Sequence, residues 1–139
     1  MTSDPNCVFC KIVARQIPAT VVQEDDETLA FMDIGQVNPG HVLVAAKAHV
    51  PTIDALSDAQ AAAVFRAASR VARAVNAAFA PEGLSVYQAN GKAAGQTVFH
   101  FHIHLVPRHE GDGMALAWPV KNPPRDQLEA NAAKIRAKM

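Results

Sequence analysis

Three histidines at every second position, His100, His102 and His104, are the strongest chemical signal in the sequence. Alternate side chains of an extended strand share one face and lie roughly 7 Å apart, so the spacing predicts a row of imidazoles on one face of a strand. The opposite face would be apolar and anchored in a core: Phe99, Phe101, Ile103 and Leu105. Imidazole suits chemistry near neutral pH, so we favour a catalytic row over a three-histidine metal centre or a chance polar surface.

The loop that precedes this strand has the composition of an anion-binding turn. Gly91 and Gly95 let the backbone approach a ligand closely, and Gln96 and Thr97 add neutral hydrogen-bond donors where the strand begins. Such a loop can bind an anion without arginine. The glycines alone are equally typical of a hairpin loop, and the sequence has no Walker-type Gly-Lys-Ser/Thr motif.

Two cysteines form a Cys-x-x-Cys pair at Cys7 and Cys10. They are too few for the disulfide framework of a small secreted domain, which leaves thiol redox chemistry, half of a metal site or no chemical role. Zinc needs four ligands, so a metal site would have to draw on histidines elsewhere in the chain.

Length and charge restrict the class of protein. The 139 residues fit one domain, and 13 Lys and Arg balance 13 Asp and Glu, so no basic surface is expected to bind long DNA or RNA. No apolar run approaches the roughly 20 residues that cross a bilayer, and the first residues lack the basic and apolar regions of a signal peptide. We expect a cytoplasmic protein without a membrane partner.

The first half of the sequence predicts one short helix and three strands. Residues 9–16 have helical apolar spacing, and Pro18 stops that helix. Residues 21–24 and 29–32 are rich in β-forming side chains around an acidic turn, which predicts a hairpin. A third strand is expected at 41–45.

The longest helix is marked by a capping box of Ser57 and Gln60, with apolar residues every three or four positions up to Phe79. The remaining elements are two strands and a surface helix: 84–89, 97–106 and 127–138. Strands follow one another more often than they alternate with helices, which favours an antiparallel α+β meander over a doubly wound parallel sheet.

Residues 95–106 resemble the signature of the histidine triad (HIT) superfamily, His-x-His-x-His followed by apolar residues: GQTVFHFHIHLV. Further segments extend this similarity, which is closest to the bacterial Hit/Hint-like branch: 7–12, 31–34, 40–44, 47–49 and 107–108. The resemblance implies a HIT-like antiparallel meander of about five strands with one long and one or two short helices. It also implies a single HIT domain over residues 1–139, with a tail from about residue 120 that the motifs do not cover.

The resemblance implies a nucleotide hydrolase or nucleotidyl transferase that cleaves at the α-phosphate of purine nucleoside 5′-phosphoramidates or adenylates and releases AMP or GMP. It makes His102 the nucleophile, which forms a nucleotidyl-histidine, and gives phosphate binding and leaving-group protonation to His104 and His41. This chemistry requires no catalytic metal. A diadenosine polyphosphate hydrolase and a nucleotide-binding interaction module with vestigial activity are the alternatives.

The same resemblance implies a set of substrate-binding residues. Asp33 matches the acid that binds both ribose hydroxyls, and Asn90 and Thr97 match phosphate-side donors, next to Gly95 and Gln96. Four apolar residues fall near positions that hold the base, although such residues are more often plain core: Ile12, Phe31, Ile34 and Leu43.

Zinc-bearing HIT proteins resemble this chain in four potential ligands, Cys7, Cys10, His49 and His100, which implies a structural Zn²⁺ site. Reduced free thiols are the alternative. The family is usually homodimeric, so we expect a homodimer paired through the long helix and an edge strand, with a purine nucleotide as the substrate.

Overall fold

The computed structural model describes residues 2–115 and 117–139. The described chain folds into three α-helices and five strands, in the order α1 (Val8–Val13), β1 (Val21–Glu24), β2 (Thr28–Met32), β3 (Val42–Ala46), α2 (Asp58–Phe79), β4 (Gly83–Tyr87), β5 (His102–Arg108) and α3 (Arg125–Arg136). Two 3-10 turns connect them, Ile53–Ala55 and Lys92–Ala94.

All five strands belong to one antiparallel sheet with the spatial order β1-β2-β3-β5-β4. The first three strands form a meander, and after α2 the chain forms the far edge as β4 and returns inward as β5. The predicted α+β class is confirmed. Because β5 lies between β3 and β4, the strand that carries His102 and His104 is hydrogen-bonded on both sides.

Local side-chain contacts explain where several elements begin and end. In the turn between β1 and β2, the Asp25 carboxylate accepts hydrogen bonds from the backbone N–H and the hydroxyl of Thr28, at 2.7 and 2.8 Å. Ser57 and Gln60 form the predicted capping box at the start of α2. At the other end of α2, Ala80 adopts a left-handed conformation with φ 44° and stops the helix.

The far end of α2 also shapes the turn before His41. Phe79, predicted on the buried face of α2, is instead 45% exposed, and its ring covers the backbone of Gly40. A Cβ at Gly40 would lie 2.7 Å from that ring, and the residue has φ +93°. Only glycine combines that conformation with such a close approach, so this contact sets the path of the chain into β3.

The two faces of the sheet pack against different helices. The first face is covered by the apolar stripe of α2, which buries residues from β2, β3 and β5: Ala30, Val42, Val44, Ile103 and Leu105. The second face packs against α1 and contributes a smaller cluster: Phe9, Ile12, Leu29, Phe31, Leu43 and Ala45. The imidazoles of His102 and His104 point to this second face, because they alternate with Ile103 and Leu105.

The structure corrects the predicted bounds of two elements around the site. Strand β5 begins at His102 rather than residue 97, since residues 98–100 form bends, and it continues to Arg108. Phe99 is therefore 50% exposed and does not share the buried face of Phe101. The first helix ends at Val13 rather than at residue 16. Arg15, two residues after that end, adopts φ 60°, which is incompatible with a continuing helix.

The C-terminal helix lies close to its predicted position, and α3 buries none of its residues. Among the described residues, no helix combines the length and the apolar character needed to span a membrane.

Candidate active site

A cavity of about 330 Å³ opens on the second face of the sheet, between α1, the ends of β2 and β3, and β5. His102 and His104 line it together with Asp33, which follows β2. Its remaining walls are mostly apolar and include four of the predicted binding residues: Ile12, Phe31, Ile34 and Leu43. Such a site, apolar with a few convergent polar groups, is typical of a small-molecule pocket.

His102 is held in a single tautomer by the backbone. Its Nδ1–H donates to the carbonyl oxygen of His100 at 2.6 Å, and a carbonyl can only accept. The proton of the neutral ring is therefore on Nδ1, and Nε2 has a free lone pair. The ring also packs edge-on against Phe9, with centroids 4.9 Å apart, and is only 9% exposed. This arrangement orients a nucleophilic nitrogen.

A second backbone contact fixes the tautomers of His41 and His104. The backbone N–H of Val37 donates to Nδ1 of His41 at 3.2 Å, so the proton of neutral His41 is on Nε2. That Nε2 lies 2.9 Å from Nδ1 of His104, which must then accept. His104 consequently has its own proton on Nε2, where it can donate to a ligand.

Burial keeps these three imidazoles neutral. It lowers the pKa of His41 and His102, and it is the largest cause that lowers the pKa of His104 to about 4. Oδ2 of Asp33 lies 3.3 Å from Nε2 of His41 and 3.7 Å from Nδ1 of His104. The Asp33 charge raises the pKa of each ring, but by less than burial lowers it. A free lone pair on His102 is therefore available at neutral pH.

The structure does not bring all the predicted binding residues to this cavity. Thr97 lines it, whereas Asn90, Gly95 and Gln96 do not. The Asn90 side chain accepts from the backbone N–H of Ile53 at 2.8 Å. The Gln96 side chain is buried and saturated, because its amide donates to Pro51 and Val98 and its oxygen accepts from Gly91. These two side chains therefore stabilise the loop by hydrogen bonds to the protein backbone.

Several cavity residues were not predicted, and most are apolar residues at the start of the chain: Val8, Phe9, Ile17, Pro18, Ala19, Thr20, Met32 and Val98. Phe9 could have been found, because it lies three residues before Ile12 and therefore on the same face of a helix. The others lie in segments whose spacing gives no sign of a ligand.

Cys7, Cys10, His49 and His100 meet beside the cavity, with one potential ligand atom from each within 4.8 Å of all the others. Nδ1 of His100 lies 3.4 Å from Sγ of Cys7 and 3.6 Å from Sγ of Cys10. Nδ1 of His49 lies 3.4 Å from Sγ of Cys10. A tetrahedral metal with ordinary M–S and M–N distances separates sulfur and nitrogen ligands by about 3.6 Å, so the four residues fit such an ion.

The outer contacts of the two histidine ligands also suit a metal site. Nε2–H of His100 donates to the carbonyl oxygen of Ala46 at 2.6 Å, and Nε2 of His49 lies 3.9 Å from a carboxylate oxygen of Asp4. Metal-binding histidines usually donate their other N–H to a carbonyl or carboxylate. In His100 this hydrogen bond leaves Nδ1 as the ligand atom that faces the cysteines. In His49, Nδ1 is likewise the ring nitrogen that lies next to Cys10.

Comparison with known proteins places this site in a family. The HIT domain model matches residues 14–111. Protein hit of Bacillus subtilis is 46% identical over 114 residues, which cover 81% of this chain and 79% of that protein. The crystal structure of a HIT family protein from Bacillus anthracis superimposes with a TM-score of 0.93 at 41% identity, covering 99% of both chains. The chain therefore belongs to the HIT family.

A further relative has a named activity. Adenosine 5′-monophosphoramidase hnt1 of Schizosaccharomyces pombe is 34% identical over 135 residues, which cover 96% of this chain and 98% of that protein. The chain is accordingly an enzyme of the HIT hydrolase type.

Proposed function

We propose that this enzyme hydrolyses purine nucleoside 5′-phosphoramidates or related adenylates at the α-phosphate, through a nucleotidyl-histidine on His102, and releases AMP or GMP. One observation carries the proposal. The hydrogen bond from Nδ1 of His102 to the backbone leaves Nε2 as a free nucleophile in the wall of a cavity of about 330 Å³. The similarity to a relative named adenosine 5′-monophosphoramidase supports the choice of substrate.

In the first half of the reaction, the Nε2 lone pair of His102 attacks the α-phosphorus. A P–N bond to the histidine forms while the bond from phosphorus to the leaving group breaks, and the leaving group takes that electron pair. An amine departs neutral from a phosphoramidate protonated on nitrogen. Nε2–H of His104 donates a hydrogen bond to a phosphate oxygen or to the leaving group, and so stabilises the charge of the transition state.

In the second half, water attacks the phosphorus from the side that the leaving group has vacated. The electron pair of the P–N bond returns to Nε2 of His102, AMP is released, and one water proton passes to solvent. The role of His41 is to hold His104 in the tautomer that donates, since Nε2–H of His41 points at Nδ1 of His104. We propose His102, His104 and His41 as the catalytic residues.

The cavity walls suggest how the substrate is oriented. We propose that Asp33 binds the ribose hydroxyls and that the base lies between Ile12, Phe31 and Leu43, with Ile34 at the rim, where it is fully exposed. Thr97 remains our candidate for a hydrogen bond on the phosphate side.

We further propose that Cys7, Cys10, His49 and His100 bind a structural Zn²⁺, which would link the start of the chain to the segment before β5. The donor set and its spacing support this assignment. So does a Zn-bound histidine triad family protein from Mycobacterium smegmatis, which is 33% identical with a TM-score of 0.74 and covers 96% of this chain and 98% of its own.

The proposed function is tested by AMP release from adenosine 5′-phosphoramidate and diadenosine tetraphosphate, measured in parallel by chromatography. We expect the phosphoramidate to be cleaved with the higher kcat/KM. A preference for the dinucleotide would instead identify a diadenosine polyphosphate hydrolase. No turnover of either substrate, with nucleotide binding retained, would identify a nucleotide-binding module.

We also propose that the enzyme is a homodimer, paired through α2 and the edge strand β4. On α2, the large side chain of Phe65 is 48% exposed, and β4 has a free edge in the sheet. We expect light scattering at micromolar concentration to give the mass of two chains. The mass of one chain would refute this assembly.

A further inference from the structure

The loop between β2 and β3, residues 33–41, contains the hydrogen bond that sets two tautomers in the candidate active site. The backbone N–H of Val37 donates to Nδ1 of His41 at 3.2 Å, and Nε2 of His41 lies 2.9 Å from Nδ1 of His104. Each neutral imidazole has one N–H and one lone pair. The position of a single backbone N–H therefore decides which nitrogen of His104 can donate to a ligand.

The side chain of Gln36 closes this loop. Its amide donates to the carbonyl oxygens of Asp33 and His41, the latter at 2.7 Å, and its oxygen accepts from the N–H of His41 at 3.1 Å. These partner atoms belong to the two ends of the same loop. The contacts of Gln36 therefore define the shape of the loop, but they do not fix its position relative to β5, the strand that carries His104.

Asn38 connects the loop to the end of β5. Its side-chain NH₂ group donates to the carbonyl oxygen of Pro107 at 2.8 Å and to Oδ2 of Asp112 at 2.9 Å. A carbonyl and a carboxylate only accept hydrogen bonds, so the nitrogen of the amide is the atom that faces them. Pro107 lies within β5, and Asp112 lies in the segment that follows it. The two donors of one side chain thus join the loop to the strand of His104.

Asp112 is a fixed and charged partner for Asn38. Its carboxylate accepts two hydrogen bonds from Arg108, at 2.6 Å from Nε and 2.9 Å from Nη2, and its side chain is only 4% exposed. The hydrogen bonds from Arg108 hold the pKa of the Asp112 carboxyl well below its usual range. Nη1 of Arg108 also donates to the hydroxyl of Ser85 on β4, at 3.0 Å. Asn38 therefore donates to an anchored carboxylate, which makes a stronger hydrogen bond than a neutral acceptor.

We propose that Asn38 is a positioning residue that sets the tautomers of His41 and His104. It holds the loop 33–41 against β5, so that the N–H of Val37 stays on Nδ1 of His41. Asn38 does not line the cavity, so it acts through these residues and not on the substrate. The kinetic consequence of this inference rests on the proposed function, in which His104 donates to the substrate. Its structural content, the tautomers of two imidazoles, does not.

The chemical consequence of losing the Asn38 donors follows from the same hydrogen bonds. With the N–H of Val37 displaced, His41 can carry its proton on Nδ1, and its Nε2 can then accept from Nδ1–H of His104. His104 in that state presents an unprotonated Nε2 and cannot donate to a phosphate oxygen or a leaving group. A loosened loop therefore removes a donor from the transition state without removing a cavity residue.

Two variants test this role. Asn38→Asp keeps the size of the side chain but replaces its NH₂ group with an oxygen, which repels the Asp112 carboxylate. Asn38→Ala removes the donors without adding charge, and it carries the test if Asn38→Asp does not fold. Asn131→Asp makes the same chemical change on the exposed helix α3 and is the matched control.

Two measurements are made on each folded protein. Two-bond proton–nitrogen NMR spectra of the imidazoles distinguish a protonated ring nitrogen from an unprotonated one, with the resonances assigned from His41→Asn and His104→Asn. The kcat and KM for adenosine 5′-phosphoramidate are determined at the same neutral pH. The NMR measurement requires no turnover, so it remains informative whatever the substrate of the enzyme is.

We expect both rings to carry their proton on Nε2 in wild type and in Asn131→Asp. In Asn38→Asp the proton of each ring should be shared between Nδ1 and Nε2, and kcat should fall at least about five-fold with KM within about two-fold, since losing one hydrogen bond shifts an equilibrium by about that factor. Asn38→Ala should show smaller changes in the same direction. Folded variants that keep both protons on Nε2, or a fall in kcat without a change of tautomer, would overturn the inference. If wild type released no AMP while the tautomers changed as expected, the proposed function alone would fail.

Discussion

Replacing His102 with alanine is expected to lower kcat/KM for adenosine 5′-phosphoramidate at least about 10³-fold, equivalent to about 4 kcal/mol of lost transition-state stabilisation. The reason is that His102 is the one cavity imidazole whose Nε2 is left unprotonated by the hydrogen bonds around it. Steady-state AMP release from purified wild type and variant measures the effect. Calorimetric titration with AMP should give a dissociation constant within about three-fold of wild type, since the apolar walls remain.

His109 supplies the control for this substitution. It is exposed, lies outside the cavity, and pairs only at 4.0 Å with Glu82, so His109→Ala should keep kcat/KM within about two-fold of wild type. In addition, wild type quenched in alkali during turnover should contain one nucleotidyl group on the peptide that includes His102. More than a tenth of wild-type activity in His102→Ala would rule out this histidine as the nucleophile.

Removal of the proposed Zn²⁺ should produce the second large effect that we expect. A chelator, or the substitution Cys10→Ala, should lower the free energy of unfolding by about 4 kcal/mol if free zinc had exceeded its dissociation constant about 1,000-fold. The melting temperature should then fall by more than about 10 °C, measured by differential scanning calorimetry. Activity at a temperature well below that transition should change much less, because the hydrogen bond to Ala46 holds His100 independently of the metal.

The metal content is the check on this interpretation. Protein purified without chelator should contain close to one zinc per chain. Adding zinc after chelation should restore the melting temperature of wild type but not of Cys10→Ala. Less than about a tenth of an equivalent of zinc, with a melting temperature insensitive to chelator, would favour the reduced free thiols instead.

The histidines and cysteines of the candidate sites could be picked out from the sequence because these residue types are rare and their spacing is regular. The hairpin, the capping box of α2 and the positions of the first three strands followed from local patterns in the same way. The orientation of His102 and His104 followed from alternation, but His100 lies before β5 and not within it. Its position depends on long-range contacts with Cys7 and Cys10 that no local pattern contains.

The loop after β4 illustrates a different limit. An amide side chain such as Gln96 is equally suited to bind a phosphate or to bind the backbone of its own loop, and its residue type does not distinguish the two. Only the fold shows that the NH₂ group of Gln96 donates to the carbonyl oxygen of Pro51 and that its side-chain oxygen accepts from the N–H of Gly91. The contact of Tyr87 with His104 could not be predicted for the same reason, because the pairing of β4 with β5 joins residues far apart in the chain.

His100 has a consequence for the way this enzyme tolerates mutation. Its imidazole faces the cysteines, whereas the atom that orients His102 is its main-chain oxygen. Every amino acid at position 100 supplies that oxygen, so no single side-chain replacement there deletes the acceptor. Drift at position 100 would therefore erode the proposed zinc site, and with it the expected thermal resistance, while His102 keeps its tautomer. At position 100, a single substitution can remove the side-chain ligand of the proposed zinc site. The main-chain oxygen that accepts from His102 is lost only if the backbone itself moves.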